Sequence, residues 1–272
     1  MTNIITIANT KGGTAKTTTA LNLATELSNI GYSVLLIDLD PQGSLSKAML
    51  GEHELAGFQG IEDLLCNPKL GFAEYITPTK LPNVSIIPCH SELGEASVKL
   101  LMNANFFSLK DVLRKIAPAA SGASAPIDGG YDFILIDTQP SKNILMLNAF
   151  AASDYVLIPT NPSVYPLMDI MELEETINMT ASNSNPNLKI LGVLITMVQR
   201  ATVYRQLESD LRNYFKEKVF TSIISRAAKS EESAVEGVGV SSIDPKCKLS
   251  IEYREFTQEI LERLQVLTGE RS

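Results

Sequence analysis

Two lysines, a glycine pair and a run of threonines fall within one short stretch near the start of the chain: Lys11-Gly12-Gly13-Thr14-Ala15-Lys16-Thr17-Thr18. These residue types, so spaced, suit the binding of phosphate. Adjacent glycines let the backbone turn so that successive N–H groups converge on an anion, a following helix adds positive potential at its N-terminus, and an ammonium group reaches the outer phosphates. The flanks supply the context such a loop needs. An apolar β-type run, Asn3 to Ala8, leads into it, and Lys16-Thr17-Thr18 opens a helical pattern that continues through Leu21 to Ser28. The strict phosphate-loop pattern G-x-x-x-x-G-K-[ST] is not met: aligned on Lys16-Thr17, its glycines fall on Thr10 and Ala15. The turn at Ala15 must therefore accept a Cβ.

Phosphoryl transfer needs positioning and charge neutralisation more than covalent chemistry. Gly12, Gly13, Thr14, Ala15, Lys16, Thr17 and Thr18 would offer backbone N–H groups to the phosphates of a nucleotide, and Lys16 would neutralise the β- and γ-phosphates. The Thr17 hydroxyl would ligate Mg²⁺, a hard ion that prefers oxygen. A second acidic group should hold that metal or its waters. Asp137 ends the apolar run Phe133 to Ile136 and has that placement. A second acidic loop, Asp38-Leu39-Asp40-Pro41-Gln42-Gly43, follows the apolar run Val34 to Ile37. Asp38 there also suits a turn or a helix cap.

The spacing Lys11-Gly12-Gly13-x-x-Lys16-Thr17-Thr18 resembles the deviant Walker A motif of the ParA/MinD ATPases, in which the extra lysine is the signature residue. The resemblance extends over nearly the whole chain. It implies that Asp137 is the Walker B aspartate and that Asp38 to Gly43 is the switch I loop. There Asp40 would orient or activate the attacking water, and Asp38 would lie near the metal. Thr138-Gln139-Pro140-Ser141 falls where switch II lies, with Gln139-Pro140 where the family more often has Pro-Pro. Lys11 would reach the nucleotide of a second subunit, which makes Lys11, Lys16 and Asp40 the expected catalytic residues and implies an ATP-dependent homodimer dissolved by hydrolysis. The adenine should sit near the strand end Thr196-Met197. ParA-type relatives bind DNA without sequence preference, and a ParB-like DNA-binding partner stimulates hydrolysis.

The basic region suits that expectation. Thr196 to Ser230 holds seven Lys/Arg (Arg200, Arg205, Arg212, Lys216, Lys218, Arg226, Lys229) against three acids (Glu208, Asp210, Glu217), a local +4 in a chain of net charge −8. Arg200, Arg205, Arg226 and Lys229 are the candidates for phosphate contacts with DNA. The same charges also fit a solvated helix face. A MinD-like membrane role is the alternative. It would require a basic amphipathic C-terminal helix, whereas Glu252, Glu255, Glu259 and Glu262 make that segment acidic.

Composition bounds the rest. The 272 residues, 44% hydrophobic and 20% charged, fit one large α/β domain spanning 1–272. The apolar runs are too short to span a bilayer and no leader-like segment precedes the first strand, so a cytoplasmic protein is expected. Cys66, Cys89 and Cys247 lack C-x-x-C spacing and read as reduced thiols, which argues against an iron–sulfur or zinc site. Strand-like runs alternate with helical segments throughout, which predicts a mainly parallel twisted sheet covered by helices on both faces. One long helix is expected from about Leu93 to Ile116. A Pro/Gly-rich surface loop is expected over Ala117–Gly130, and a final helix should pack through Phe256, Ile260, Leu264 and Leu267.

Overall fold

A computed structural model of the chain describes residues 2–115, 130–161, 166–199 and 201–268. Arg200 and nearly all of the expected loop 117–130 lie outside them. The strands are β1 (Asn3–Ile7), β2 (Val34–Leu39), β3 (Thr77–Pro78), β4 (Val84–Ile87), β5 (Phe133–Thr138), β6 (Tyr155–Thr160), β7 (Lys189–Val198) and β8 (Val219–Ser225). They form one sheet in the order β3-β4-β2-β5-β1-β6-β7-β8. Every pairing is parallel except that of the two-residue β3 with β4.

Strands buried on both faces read as nearly continuous apolar runs, and the alternation shows how each residue is used. Val34 and Leu36 of β2, with Phe133 and Leu135 of β5, join a core that includes Leu23 and Leu27 of α1 (Lys16–Asn29) and Phe256 and Ile260 of α11 (Lys248–Thr268). Leu35, Ile37, Ile134 and Ile136 point the other way. They pack with Leu109 of α5 (Ser108–Leu113) and Leu145 of α6 (Ile144–Ala152). A third cluster joins Ile158, Val193 and Ile195 to α7 (Pro166–Asn183) and α8 (Ala201–Phe215) through Ile170 and Leu211.

The helix expected over residues 93–116 is two helices, α4 (Leu93–Met102) and α5. Ala104 takes a left-handed conformation, φ 49°, and the Asn105 N–H returns to the Leu100 carbonyl, so the chain turns out of α4 there. Asn148 of α6 then holds the junction: its Nδ2 donates to the Asn105 carbonyl and its Oδ1 accepts from the Leu109 N–H. In α11, Phe256, Ile260 and Leu264 are buried as expected, but Leu267 is exposed. The same helix covers the β8 edge of the sheet. Glu259 accepts from the Thr221 and Ser222 N–H groups of β8, and Glu252 accepts from that of Ser225. An edge so covered is no longer a template for a further strand. Among the described residues no helix is long and apolar enough to cross a membrane.

Candidate nucleotide-binding and hydrolysis site

Parallel pairing sends the segments after β1, β2, β5, β6, β7 and β8 to one edge of the sheet, and the candidate residues meet there. The loop after β1 is held from several sides. Asn9 Nδ2 donates to the Pro159 carbonyl at 2.7 Å while its Oδ1 accepts from the Lys11 N–H at 2.9 Å. Asn161 Nδ2 donates to the Gly13 carbonyl at 2.8 Å, and the Thr196 hydroxyl donates toward the Thr14 and Thr160 carbonyls. Gly13 has φ +68°, which explains a glycine there. Ala15 also sits in the left-handed region, φ 61° and ψ 33°, as the residue that caps α1. No side chain caps this helix and its first turn carries no acid, so the N–H groups and the positive end of the dipole are left to an anion.

Lys16 is buried, 7% exposed, and its Nζ donates to the Lys11 carbonyl at 3.1 Å. Burial lowers its pKa, while the neighbouring Asp137 and Asp40 carboxylates pull the other way. The Thr17 hydroxyl donates to Asp137 Oδ2 at 2.6 Å. The sheet register sets Asp38 of β2 directly beside Asp137 of β5. Both carboxyls are fully buried. Burial first, and then the Asp38 charge, push the Asp137 pKa up to about 8. Burial also raises that of Asp38.

Asp137 Oδ1 is buried with no hydrogen-bond partner among the described residues. An orphaned carboxylate oxygen beside a threonine hydroxyl is what a hard divalent cation bound through oxygen would use, so these residues fit Mg²⁺. Asp38 is differently occupied. Its Oδ1 accepts from the Asp40 N–H at 3.0 Å, and its Oδ2 accepts from the Ser46 N–H and hydroxyl at 2.8 and 2.7 Å. Ser46 lies in the first turn of α2 (Ser44–Leu50). Asp38 therefore caps that helix, the cap-like use its residue type allowed. Asp40 is half-buried and lines the phosphate-side cavity with Gly12 to Thr18, Pro140 and Ser230.

That cavity measures about 360 Å³ and shares Gly13, Ala15, Thr18 and Ser230 with a second one of about 650 Å³. The second is lined by Met197, Gln199, Arg226, Ala227 and Tyr253 among others, a size and polarity that suit a nucleoside. Met197 bends the end of β7 with φ 56°. A cleft of about 830 Å³ between Ile190, Phe215, Lys218, Glu262 and Arg263 lies at the other edge of the sheet and contains no part of the loop.

The remaining candidates divide. Lys11 Nζ pairs with Asp169 Oδ2 of α7 at 3.0 Å. Arg205 is exposed on α8, Arg226 lines the nucleoside-side cavity, and Lys229 Nζ pairs with Asp244 Oδ2 at 2.8 Å. All three follow β7 or β8 at the phosphate-loop edge. Lys216 and Lys218 precede β8 and line the cleft at the opposite edge. These described basic residues are therefore not one patch. Asn161 and Asp169, absent from the sequence-based candidates, carry no local signal, because each meets the loop only through tertiary structure. Thr196, expected as part of the strand end near the adenine, also reaches the loop at the Thr14 carbonyl. Asn9, next to the loop, was discoverable as a turn-forming side chain.

Fold, loop and acidic pair together define a P-loop nucleoside triphosphatase with a deviant Walker A loop. A family model described as an AAA domain matches residues 2–190. The chain is 35% identical over 263 residues to the chromosome partitioning protein ParA of Myxococcus xanthus, covering 96% of this chain and 88% of that one. It is 33% identical to the chromosome-partitioning ATPase Soj of Thermus thermophilus, covering 96% of both. Among solved structures, cobyrinic acid a,c-diamide synthase from Mycobacterium smegmatis with bound ATP analog and magnesium matches with a TM-score of 0.81 at 29% identity, over 97% of this chain and 96% of that one. The chain belongs to the ParA/Soj family of partitioning ATPases.

Proposed function

We propose that residues 1–272 act as one Mg²⁺-dependent ATPase domain of a DNA partition system. In this reading ATP drives formation of a homodimer, the dimer binds DNA without sequence preference, and hydrolysis stimulated by a ParB-like partner releases it. The protein then works in the cytoplasm, on the nucleoid.

The observation that carries the proposal is the orphaned Asp137 Oδ1 beside the Thr17 hydroxyl and Lys16. Thr17 and Asp137 would hold Mg²⁺, which when bound draws charge from the β- and γ-phosphate oxygens. The uncapped N-terminus of α1 and the N–H groups of residues 12 to 18 bind the phosphates, and Lys16 neutralises them. Asp40 faces the same cavity and orients the attacking water. The nucleoside fills the 650 Å³ cavity beside Met197 and Arg226. Arg205 and Lys229, with Arg200, supply phosphate contacts to DNA, and Arg226 does so from the rim of the nucleoside cavity. A MinD-like membrane role finds less support, because Phe256, Ile260 and Leu264 of α11 are spent on the sheet.

A gel-shift series tests this reading. DNA should be retarded with ATP but not with ADP, and the shift should weaken steeply with salt. Lys16→Ala should lose ATP binding and the shift together, while Asp40→Ala should bind ATP, retard DNA and fail to hydrolyse. Equal retardation with ADP and ATP would reject the release cycle.

A further inference from the structure

Asp40 sits on a loop that one would expect to be mobile, yet its backbone is fastened at both ends. Its N–H donates to Asp38 Oδ1 at 3.0 Å, and its carbonyl accepts the Cys89 thiol at 3.0 Å and the Gly43 N–H at 2.8 Å. Cys89 lies two residues beyond the end of β4, the strand next to β2. Its own N–H donates to the Ser46 hydroxyl oxygen at 3.0 Å, and that hydroxyl donates on to Asp38 Oδ2 at 2.7 Å. The contacts close a ring, Asp38–Asp40–Cys89–Ser46. Asp38, Ser46 and Cys89 are all fully buried. The Gly43 backbone lies over Cys89: a Cβ built there would rest 3.6 Å from the Cys89 carbonyl oxygen and 3.8 Å from its sulfur.

A buried cysteine that merely filled space would not aim its thiol at the backbone of a functional loop, nor would a space-filling serine tie that cysteine's N–H to the Asp38 carboxylate. We propose that Cys89 and Ser46 are positioning residues for hydrolysis. They hold the Asp40–Gly43 turn against the end of β4 so that the Asp40 carboxylate stays toward the phosphate cavity. This rests on the reading above, in which Asp40 orients the water. Neither residue touches the nucleotide cavity, so the ring acts on the chemical step and not on nucleotide affinity. A group held in place before the reaction loses no orientation when the reaction occurs.

The test pairs Cys89→Ala with Cys89→Ser in the full chain, and Ser46→Ala provides a second break in the ring. Three quantities are measured: nucleotide affinity, kcat of ATP hydrolysis, and amide hydrogen exchange of the peptide spanning residues 40–50. Losing one hydrogen bond of ordinary strength should lower kcat about three- to tenfold. Cys89→Ala should show that fall with unchanged nucleotide affinity and faster exchange at Gln42 and Gly43. Cys89→Ser keeps a donor at the site and should restore both. Wild-type kcat in Cys89→Ala, or an equal loss in the alanine and serine variants, overturns the proposal. Asp40→Ala separates the two layers. If it hydrolyses ATP at the wild-type rate, the assignment of Asp40 itself fails; if it is inactive while Cys89→Ala is normal, only the positioning role fails.

Discussion

Ala15 is the residue at which the loop departs most from the strict phosphate-loop pattern, and its conformation is one that glycine adopts without strain. The left-handed region costs an L-residue roughly 1–2 kcal/mol. Glycine's greater freedom in the unfolded chain returns roughly 0.4–1 kcal/mol of that. Ala15→Gly is therefore expected to stabilise the protein by about 0.5–1 kcal/mol, visible as a rise of about 2 °C in the thermal midpoint. An unchanged or lower midpoint would mean that the Ala15 methyl, which borders both cavities, contributes packing that exceeds its backbone strain. The chain keeps the N–H groups in place with an alanine because neighbours hold the loop: Asn9 from within it, Asn161 and Thr196 from the ends of β6 and β7.

At the scale of elements, the pairing of β2 with β5 decides the electrostatics. Adjacent parallel strands stand about 4.8 Å apart, so the register that aligns Asp38 with Asp137 confronts two buried carboxyls. An acid whose folded pKa lies above its unfolded value binds more protons when folded, so its contribution falls as pH rises. For Asp137 the fall runs from about pH 4 to about pH 8 and then levels off. Without nucleotide and Mg²⁺, Asp137→Asn should melt above the wild type, with the gap opening through that window and constant beyond it. Thermal scans across pH check this. With Mg²⁺ and ATP the order should reverse, since the variant lacks the carboxylate. Asp38 behaves as a cap for a local reason: its two oxygens are consumed by the loop and helix that follow β2.

At the scale of the whole molecule, the issue is what Lys11 does in a single chain. It pairs with Asp169 through side chains that are 36% and 35% exposed. Ion pairs this accessible contribute about 0–1 kcal/mol, a modest cost for turning the lysine to the triphosphate that a second subunit would offer in the proposed dimer. Lys11→Ala should therefore bind ATP as a monomer but form no ATP-dependent dimer. Light scattering with and without ATP reads this directly, and a dimer persisting in the variant would exclude a role for Lys11 across the interface. Charge is distributed on the same scale. With Lys216 and Lys218 at one edge of the sheet and Arg205, Arg226 and Lys229 at the other, only the second group shares an edge with the nucleotide. The proposed DNA binding, if made through that group, would come under the control of nucleotide state.

Much of this was legible in the residues alone. Continuous apolar runs such as Val34 to Ile37 and Phe133 to Ile136 implied strands covered on both faces, and the glycine pair between two lysines located the phosphate loop, because both signals are local and short. The break between α4 and α5 was not legible: nothing in Asn103-Ala104-Asn105 forbids a helix, and Asn148, far along the chain, holds the turn. The pair Lys11–Asp169 and the ring through Cys89 were equally hidden, because they depend on which elements lie beside one another. The cap formed by Asp38, in contrast, stays within one short segment, and its residue type allowed it. Local sequence determined the elements and the residue types that can bind phosphate. Tertiary structure alone decided which side chains face one another, and hence which carboxylate keeps an unpartnered oxygen among the described residues and which is already engaged.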